Sequence, residues 1–403
     1  MKLLFTSPVL EHPAAGGPQL RIENSIKALS RLAEIDLVSR SPVSLTGGRA
    51  ALDFFSGFAR ETQVAPSAIG ISGNRYVRKA QRVLRGLGER DAAQDAAYLV
   101  RHARRRGLGT VWFGYGNISF PLIRRIQALA PELKLICDTD SVWSRFILRE
   151  LPYAGALRRR RIQRAGRRKE HEERSWVEMC DATTAVSEVD AAYYREKASR
   201  PERVHIFSNA LDLATYASPP PPAPGLRKPC LYLAGTFGHA HSPMDVAARW
   251  MIEEVLPLVR RRLPAAHFYL VGTGSERMWG HLADPGITVT GKLPSVLPYL
   301  CHADAALVPL KFESGTRFKI LEAGACGVPV VSTTLGAEGL PVRDGVELLL
   351  ADSAEDFAHA IVRVLEDPAL ARRLGEGCRA MVRARYSIDT LEREAAAILG
   401  SLH

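Results

Sequence analysis

The chain has 403 residues, with 54 Lys and Arg against 43 Asp and Glu, a formal net charge of +11, 46% hydrophobic and 24% charged residues. This is the length of two domains or one large one, and the composition can bury sizeable cores, which excludes a disordered, collagen-like or disulfide-scaffolded chain. The six cysteines (137, 180, 230, 301, 326 and 378) show no Cys-x-x-Cys and no Cys/His spacing suited to zinc, so a reduced, cytosolic protein without a structural metal is expected.

The first apolar run, Leu3-Leu4-Phe5, ends far short of the roughly 7–15 residues of a signal-peptide core, and no later stretch reaches the roughly 18 apolar residues of a membrane span. From there on, strand patterns alternate with helical ones. In the first half the predicted strands are Leu3–Phe5, Ile35–Val38, Val111–Phe113, Leu133–Ile136, Ala182–Val186 and Val204–Phe207. Ile22, Ile26, Leu29 and Ala33 form one stripe of the first helix. Arginines clump at 104–106, 158–161, 164 and 167–168. Without interleaved aromatics they disfavour nucleic acid, leaving a solvated face or an anionic membrane surface. Asp138-Thr139-Asp140 has the form of an Asp-x-Asp metal motif, but so short a motif needs its context, and these acids read as loop residues with an acceptor contact as the alternative.

Ser218-Pro219-Pro220-Pro221-Pro222-Ala223-Pro224-Gly225 suits neither a helix interior nor a central strand, and is expected as an extended connector. Beyond it the strands are Leu231–Ala234, Phe268–Val271, Ile287–Thr290, Ala306–Val308, Val328–Val331 and Leu348–Leu350, with a helix carrying Ala247, Trp250, Met251, Val255 and Leu258 after the first. The alternation predicts an α/β protein of two Rossmann-like doubly wound domains, with a site in a cleft at the carboxyl ends of both sheets. The expected division is an amino-terminal domain 1–217, a linker 218–228, a carboxyl-terminal domain 229–386 and a last helix within 387–403.

The most informative segment runs from Pro309 through Glu313-Ser314-Gly315-Thr316-Arg317-Phe318-Lys319-Ile320-Leu321-Glu322 to Gly327-Val328-Pro329-Val330-Val331. A strand ends, a short loop comes next, and a helix opens near Thr316, so that amides of Gly315, Thr316 and Arg317 converge where the helix dipole favours an anion. Thr316, Lys319 and Glu322 are spaced to share a helix face, Lys319 suited to a phosphate and Glu322 to the paired hydroxyls of a ribose. A capped helix with a solvated Lys/Glu pair is the plain alternative.

This run resembles the donor-binding signature of family 4 glycosyltransferases of the GT-B fold, and is closest to the exopolysaccharide-type branch with Gly-Thr-Arg-x-Lys-Ile-Leu-Glu. Ala234-Gly235-Thr236-Phe237-Gly238, Val271-Gly272-Thr273-Gly274, Val289-Thr290-Gly291-Lys292-Leu293 and Gly336-Ala337-Glu338-Gly339-Leu340 fit the same pattern. The resemblance implies that Glu322 binds the donor ribose, that Gly315 and Thr316 hold the diphosphate facing Gly235 and Thr236, and that Gly291, Lys292 and Leu293 meet the nucleobase. It further implies that Gly16 and Gly17 approach donor and acceptor, that no cofactor or metal is required, and that the last helix packs on the first domain.

The chain departs from the family pattern in three places. The first acidic position falls on Ser314, one residue after Glu313; the usual Arg and Lys after the first donor-domain strand are replaced by His239 and His241; and Tyr115, beside Gly116 and Asn117, stands where a His is common. Lys319, and after it Arg317, are then expected to neutralise the diphosphate, with Glu313 reaching the sugar if the loop shifts. Tyr115, Asn117, Asp138 and Asp140 are candidates for the acceptor side. The resulting expectation is a retaining, metal-independent transfer from a UDP- or GDP-type sugar to a glycan, lipid-linked or other hydroxyl acceptor. It would take place in the cytoplasm, near the inner face of a membrane. A sugar-nucleotide-binding protein without transfer and a sugar-nucleotide epimerase of the same fold are the alternatives.

Overall fold

The computed structural model describes residues 1–14, 16–40, 48–69 and 89–402. The chain forms two compact units: Met1–Leu148, Ala156–Ala210 and Ile388–His403 make the first, Arg149–Gly155 and Leu211–Ser387 the second.

The first unit contains a parallel sheet of β1 (Lys2–Ser7), β2 (Glu34–Ser39), β3 (Glu61–Val64), β4 (Thr110–Gly114), β5 (Lys134–Asp138), β6 (Ala182–Ala185) and β7 (Val204–Ile206), in the order β3-β2-β1-β4-β5-β6-β7. Successive side chains alternate across it: Leu4, Val111, Phe113 and Leu135 enter one buried cluster, Leu3, Phe5, Trp112 and Ile136 the other. Both faces are covered, which is why these strands are apolar at nearly every position. The edge strand β3, Glu-Thr-Gln-Val, is half-buried throughout and carries no such signal, so the sequence pattern does not reveal it. The helix Ile388–Gly400 places Leu391, Ala395 and Ile398 in the second cluster beside Ile22, Ile26 and Leu29 of the helix Gly17–Ser30.

The second unit contains β8 (Cys230–Ala234), β9 (His267–Val271), β10 (Ile287–Gly291), β11 (Ala305–Val308), β12 (Val330–Ser332) and β13 (Leu349–Leu350), all parallel, in the order β10-β9-β8-β11-β12-β13. After β8 the helix Pro243–Trp250 passes through a π turn, Met251–Val255, into the helix Leu256–Arg262. The wider turn rotates this last helix about its axis, so Leu256 and Val259 are fully buried where the simple helical stripe puts Leu258.

Two expected boundaries move. The second unit begins at Leu211, ahead of the Pro-rich stretch, and that stretch lies within the unit, with Ala223 buried and its N–H donating to Pro298 O at 3.0 Å. A short piece of the first half, Arg149–Gly155, also belongs to the second unit. Nothing local in its sequence marks it.

Candidate functional site

In each sheet the connections run outward in opposite directions from one pair of neighbouring strands, β1/β4 in the first and β8/β11 in the second. Such a switch point leaves a crevice outside the carboxyl ends of the strands, where open α/β sheets bind ligands. In the second unit the loops leaving β8 and β11 are those of Gly235-Thr236 and Glu313-Ser314-Gly315-Thr316. The turns after β8, β9 and β10 are laced together: Gly235 N–H donates to Val271 O at 3.0 Å, Phe237 N–H to Thr273 O at 2.8 Å and Gly272 N–H to Gly291 O at 3.1 Å. Gly272 has φ +123°, and a Cβ there would lie 2.2 Å from Gly235 O, so the approach requires glycine. Thr236 and Lys292 are exposed, while Leu293 is partly buried against the core.

The loop between β11 and the helix Phe318–Cys326 has an unusual hydrogen-bond pattern. Tyr153 donates through its hydroxyl to Lys311 O at 3.3 Å, and Arg149 donates to Glu313 O at 2.7 Å. Arg317 donates to Ser314 O at 2.7 Å and to Gly315 O. Four carbonyls of one loop are thus held by side chains. In a trans peptide the N–H points opposite to the carbonyl of the preceding residue, so binding the carbonyls of Glu313, Ser314 and Gly315 turns the amides of Ser314, Gly315 and Thr316 the other way. Gly315, at φ +80°, supplies the left-handed turn.

Two expectations are corrected at this loop. The helix opens at Phe318, not near Thr316, because Arg317 is the N-cap with extended angles (φ −100°, ψ 107°); Thr316 is a loop residue and shares no helix face with Lys319 and Glu322. Arg317 is buried, and its Nη1 donates to the carbonyls of Ser314 and Gly315 in its own loop, so part of its guanidinium fixes the loop. The Ser314 hydroxyl is buried without a hydrogen-bond partner, a polar group available to a ligand at the position of the missing acid.

Lys319 and Glu322 are both partly buried on the helix Phe318–Cys326. Burial lowers the Lys319 pKa and the Arg317 charge adds to this, while Glu313 and Glu322 oppose it. The carboxylate of Glu313 is therefore within electrostatic reach of the ammonium. Burial also pushes the Glu322 carboxyl up to about 6, against the Tyr216 hydroxyl, which donates to Oε1 at 3.2 Å, and the Lys319 charge. A half-desolvated cation and a carboxylate that still ionises near neutral pH therefore project beside a loop of oriented amides. Desolvated donors of this kind bind anions more strongly than donors in water.

The acceptor-side candidates lie just after β4 and at the end of β5 in the first unit. Tyr115 is buried at φ 61°, its hydroxyl pKa pushed well up by burial and by Asp140. Asn117 is fully buried, donating to Asp140, and its own carbonyl accepts from Lys169. Asp138 is not a loop acid: it is the last residue of β5, fully buried, and its oxygens accept from Arg21, from Thr184 Oγ1 at 2.8 Å and from Trp112 Nε1 at 3.2 Å. This corrects its expected place in a loop, and both of its oxygens already accept hydrogen bonds within the first unit. Asp140, partly buried, is the member of the group that water reaches. Gly16 is the N-cap and Gly17 the first residue of the helix after β1. His239 and His241 are exposed.

Among the described residues, Asp36, Glu61 and His102 come close enough to share a cation, but Arg60 and Arg106 already pair with Asp36 at 3.2 Å each. Also among the described residues, no helix is long and apolar enough to cross a membrane.

No local sequence signal marks Arg149, Tyr153 or Tyr216, and none assigns Glu338 a partner. Of these only Glu338 lies in a run that stands out locally, Gly-Ala-Glu-Gly-Leu.

Residues 232–367 match the family described as "Glycosyl transferases group 1". The chain is 30% identical over 148 residues to the lipopolysaccharide core biosynthesis glycosyltransferase LpsE of Rhizobium meliloti, covering 35% of this chain and 43% of the relative. It is 30% identical over 225 residues to the D-inositol 3-phosphate glycosyltransferase of Thermobifida fusca, covering 49% and 50%. The matches thus span half or less of these relatives' lengths. In structure the chain is similar to HepE of Anabaena, solved in complex with UDP-glucose, with a TM-score of 0.67 at 15% identity over the whole of both chains. That likeness, together with two parallel Rossmann-like sheets, gives the chain the GT-B fold. The stretch that matches the glycosyl transferases group 1 family, residues 232–367, contains the oriented loop, Lys319 and Glu322.

Proposed function

We propose that the protein transfers a sugar from a nucleotide-diphosphate sugar of the UDP or GDP type to a hydroxyl acceptor on a glycan or a lipid-linked saccharide. The observation that carries this reading is the β11 loop, whose carbonyls are turned back so that its amides meet the start of the helix bearing Lys319 and Glu322. Those amides and Lys319 take the diphosphate, Glu322 takes the ribose hydroxyls, and Gly235 and Thr236 form the facing turn. The nucleobase meets the main chain of Gly291, Lys292 and Leu293.

The bond between the anomeric carbon and the terminal phosphate oxygen breaks as the acceptor oxygen bonds to that carbon from the same face. The acceptor proton passes to the departing phosphate oxygen. Attack on the face that the leaving group occupies retains the anomeric configuration, and the loop amides with the Lys319 ammonium stabilise the departing diphosphate in the role a metal would otherwise fill. HepE, solved with UDP-glucose, and the named lipopolysaccharide-core relative support this substrate class. The protein acts in the cytoplasm, and its exposed arginines 160, 161, 164, 167 and 168, with Leu157 exposed at 84%, form a face suited to an anionic membrane carrying the acceptor.

Incubation with a panel of UDP- and GDP-sugars and a hydroxyl acceptor, in EDTA, tests the reading. An α-linked product from an α-linked donor is expected; release of epimer without acceptor, or nucleotide binding with neither transfer nor donor hydrolysis, would overturn it.

A further inference from the structure

The segment Arg149–Gly155 interrupts the first unit and belongs to the second, where it lies against the β11 loop. Arg149 forms a two-pronged ion pair with Glu338, at 2.6 Å from Nη1 to Oε2 and 2.7 Å from Nη2 to Oε1, and the same Nη1 donates to Glu313 O at 2.7 Å. Four residues on, Tyr153 stacks on Phe312 with ring centroids 5.1 Å apart and donates to Lys311 O. Two side chains from the first half thereby hold alternate carbonyls of the loop, while the ring between them is packed down.

Glu338 neutralises Arg149, so Arg149 is poorly suited to serve as a diphosphate charge. What it does is fix one peptide plane. The Glu313 carbonyl bound to Arg149 directs the Ser314 N–H away from it, at the point where the unpartnered Ser314 hydroxyl is also buried. Arg317 fixes the next two planes in the same way. A fork held at both tips by Glu338 cannot swing, which a single ammonium could do.

We propose that Arg149, locked by Glu338, is a positioning residue for the nucleotide diphosphate: it sets the peptide between Glu313 and Ser314 so that the Ser314 amide, with its hydroxyl, faces the donor. This rests on the proposed donor site in the same loop. It also puts the Ser314 amide and hydroxyl at the position where the family pattern has its first acid.

The test uses the full chain with UDP as the probe. Wild type, Arg149→Ala, Arg149→Lys and Glu338→Gln are compared by calorimetry, by donor and acceptor KM, and by hydrogen exchange of the amides of residues 313–317. Misplacing a binding group by an ångström costs on the order of ten- to a hundredfold. Arg149→Ala is expected to weaken UDP and raise donor KM by about that factor, leave acceptor KM unchanged and speed loop exchange. Arg149→Lys and Glu338→Gln should fall between it and wild type, and they serve if the alanine variant does not fold. Wild-type UDP affinity in Arg149→Ala, or weaker UDP with unchanged loop exchange, would overturn the positioning role alone. Failure of the wild type to bind any nucleotide would overturn both this role and the donor site.

Discussion

The carboxyl edges of the two sheets have the same topology and opposite electrostatics. At the first, Asp138 lies at the end of β5 with every oxygen taken by Arg21, Thr184 and Trp112, and Arg21 also donates to Asn209 Oδ1 at 2.9 Å and Phe207 O at 3.1 Å. At the second, the charges that hold the loop act on carbonyls, and Lys319 and Glu322, both shifted from their ordinary ionisation by burial, retain some contact with solvent. Charges spent on each other inside a unit are committed to its fold, whereas oriented amides beside half-solvated charges are ready for a ligand. Buried charge alone does not mark a functional site; the direction in which its hydrogen bonds are spent does.

The comparison predicts separable losses. Asp138→Ala strands the buried Arg21 guanidinium and should cost about 3–5 kcal/mol of stability by denaturant unfolding. The fraction that remains folded should keep its UDP affinity. Lys319→Ala should do the reverse, lowering transfer about a hundredfold or more with the unfolding midpoint within a few degrees of wild type, as expected on removal of a charge that stabilises a leaving group.

Glu322 gives a pH signature. Its folded pKa, about 6, lies above the ordinary value of 4.5, so the folded state holds the proton more tightly than the unfolded chain. The resulting stabilisation is complete below about pH 4.5 and is lost as pH rises through 6, a fall of about 2 kcal/mol without ligand. In Glu322→Gln this part of the pH dependence should disappear, and UDP binding should weaken. The smallest effect is expected at the surface, where Arg31 pairs with Asp389 and Glu392 at 2.7 and 3.0 Å. Arg31→Ala should cost less than about 1 kcal/mol and change no binding, since exposed ion pairs contribute little.

Much of the second unit was legible because its signals are local. Lys319 and Glu322 lie one helical turn apart, and the glycines after β8, β9 and β10 mark turns where backbones meet within a few residues of each strand. The features that escaped sequence reading depend on distance along the chain. Arg149 lies 164 residues from Glu313 and 189 from Glu338, and no periodicity connects them. Asp138 looked available because its partner Arg21, 117 residues away, sits on a helix face that otherwise reads as ordinary. Spacing alone assigns Thr316 to the helix, but Arg317 bonds to its own loop and holds the backbone extended for one more residue. The polar strand β3 pairs through its backbone with β2, which side-chain pattern cannot reveal.

The proposed nucleotide-diphosphate site lies at the β11 loop and the helix carrying Lys319. Calorimetric titration of UDP and GDP into the wild type and into Lys319→Ala tests it most directly. One saturable site for one of the nucleotides in the wild type, weakened about tenfold or more by the substitution, is the predicted result. Equal affinity in the two proteins, or no binding of either nucleotide to the wild type, would contradict it.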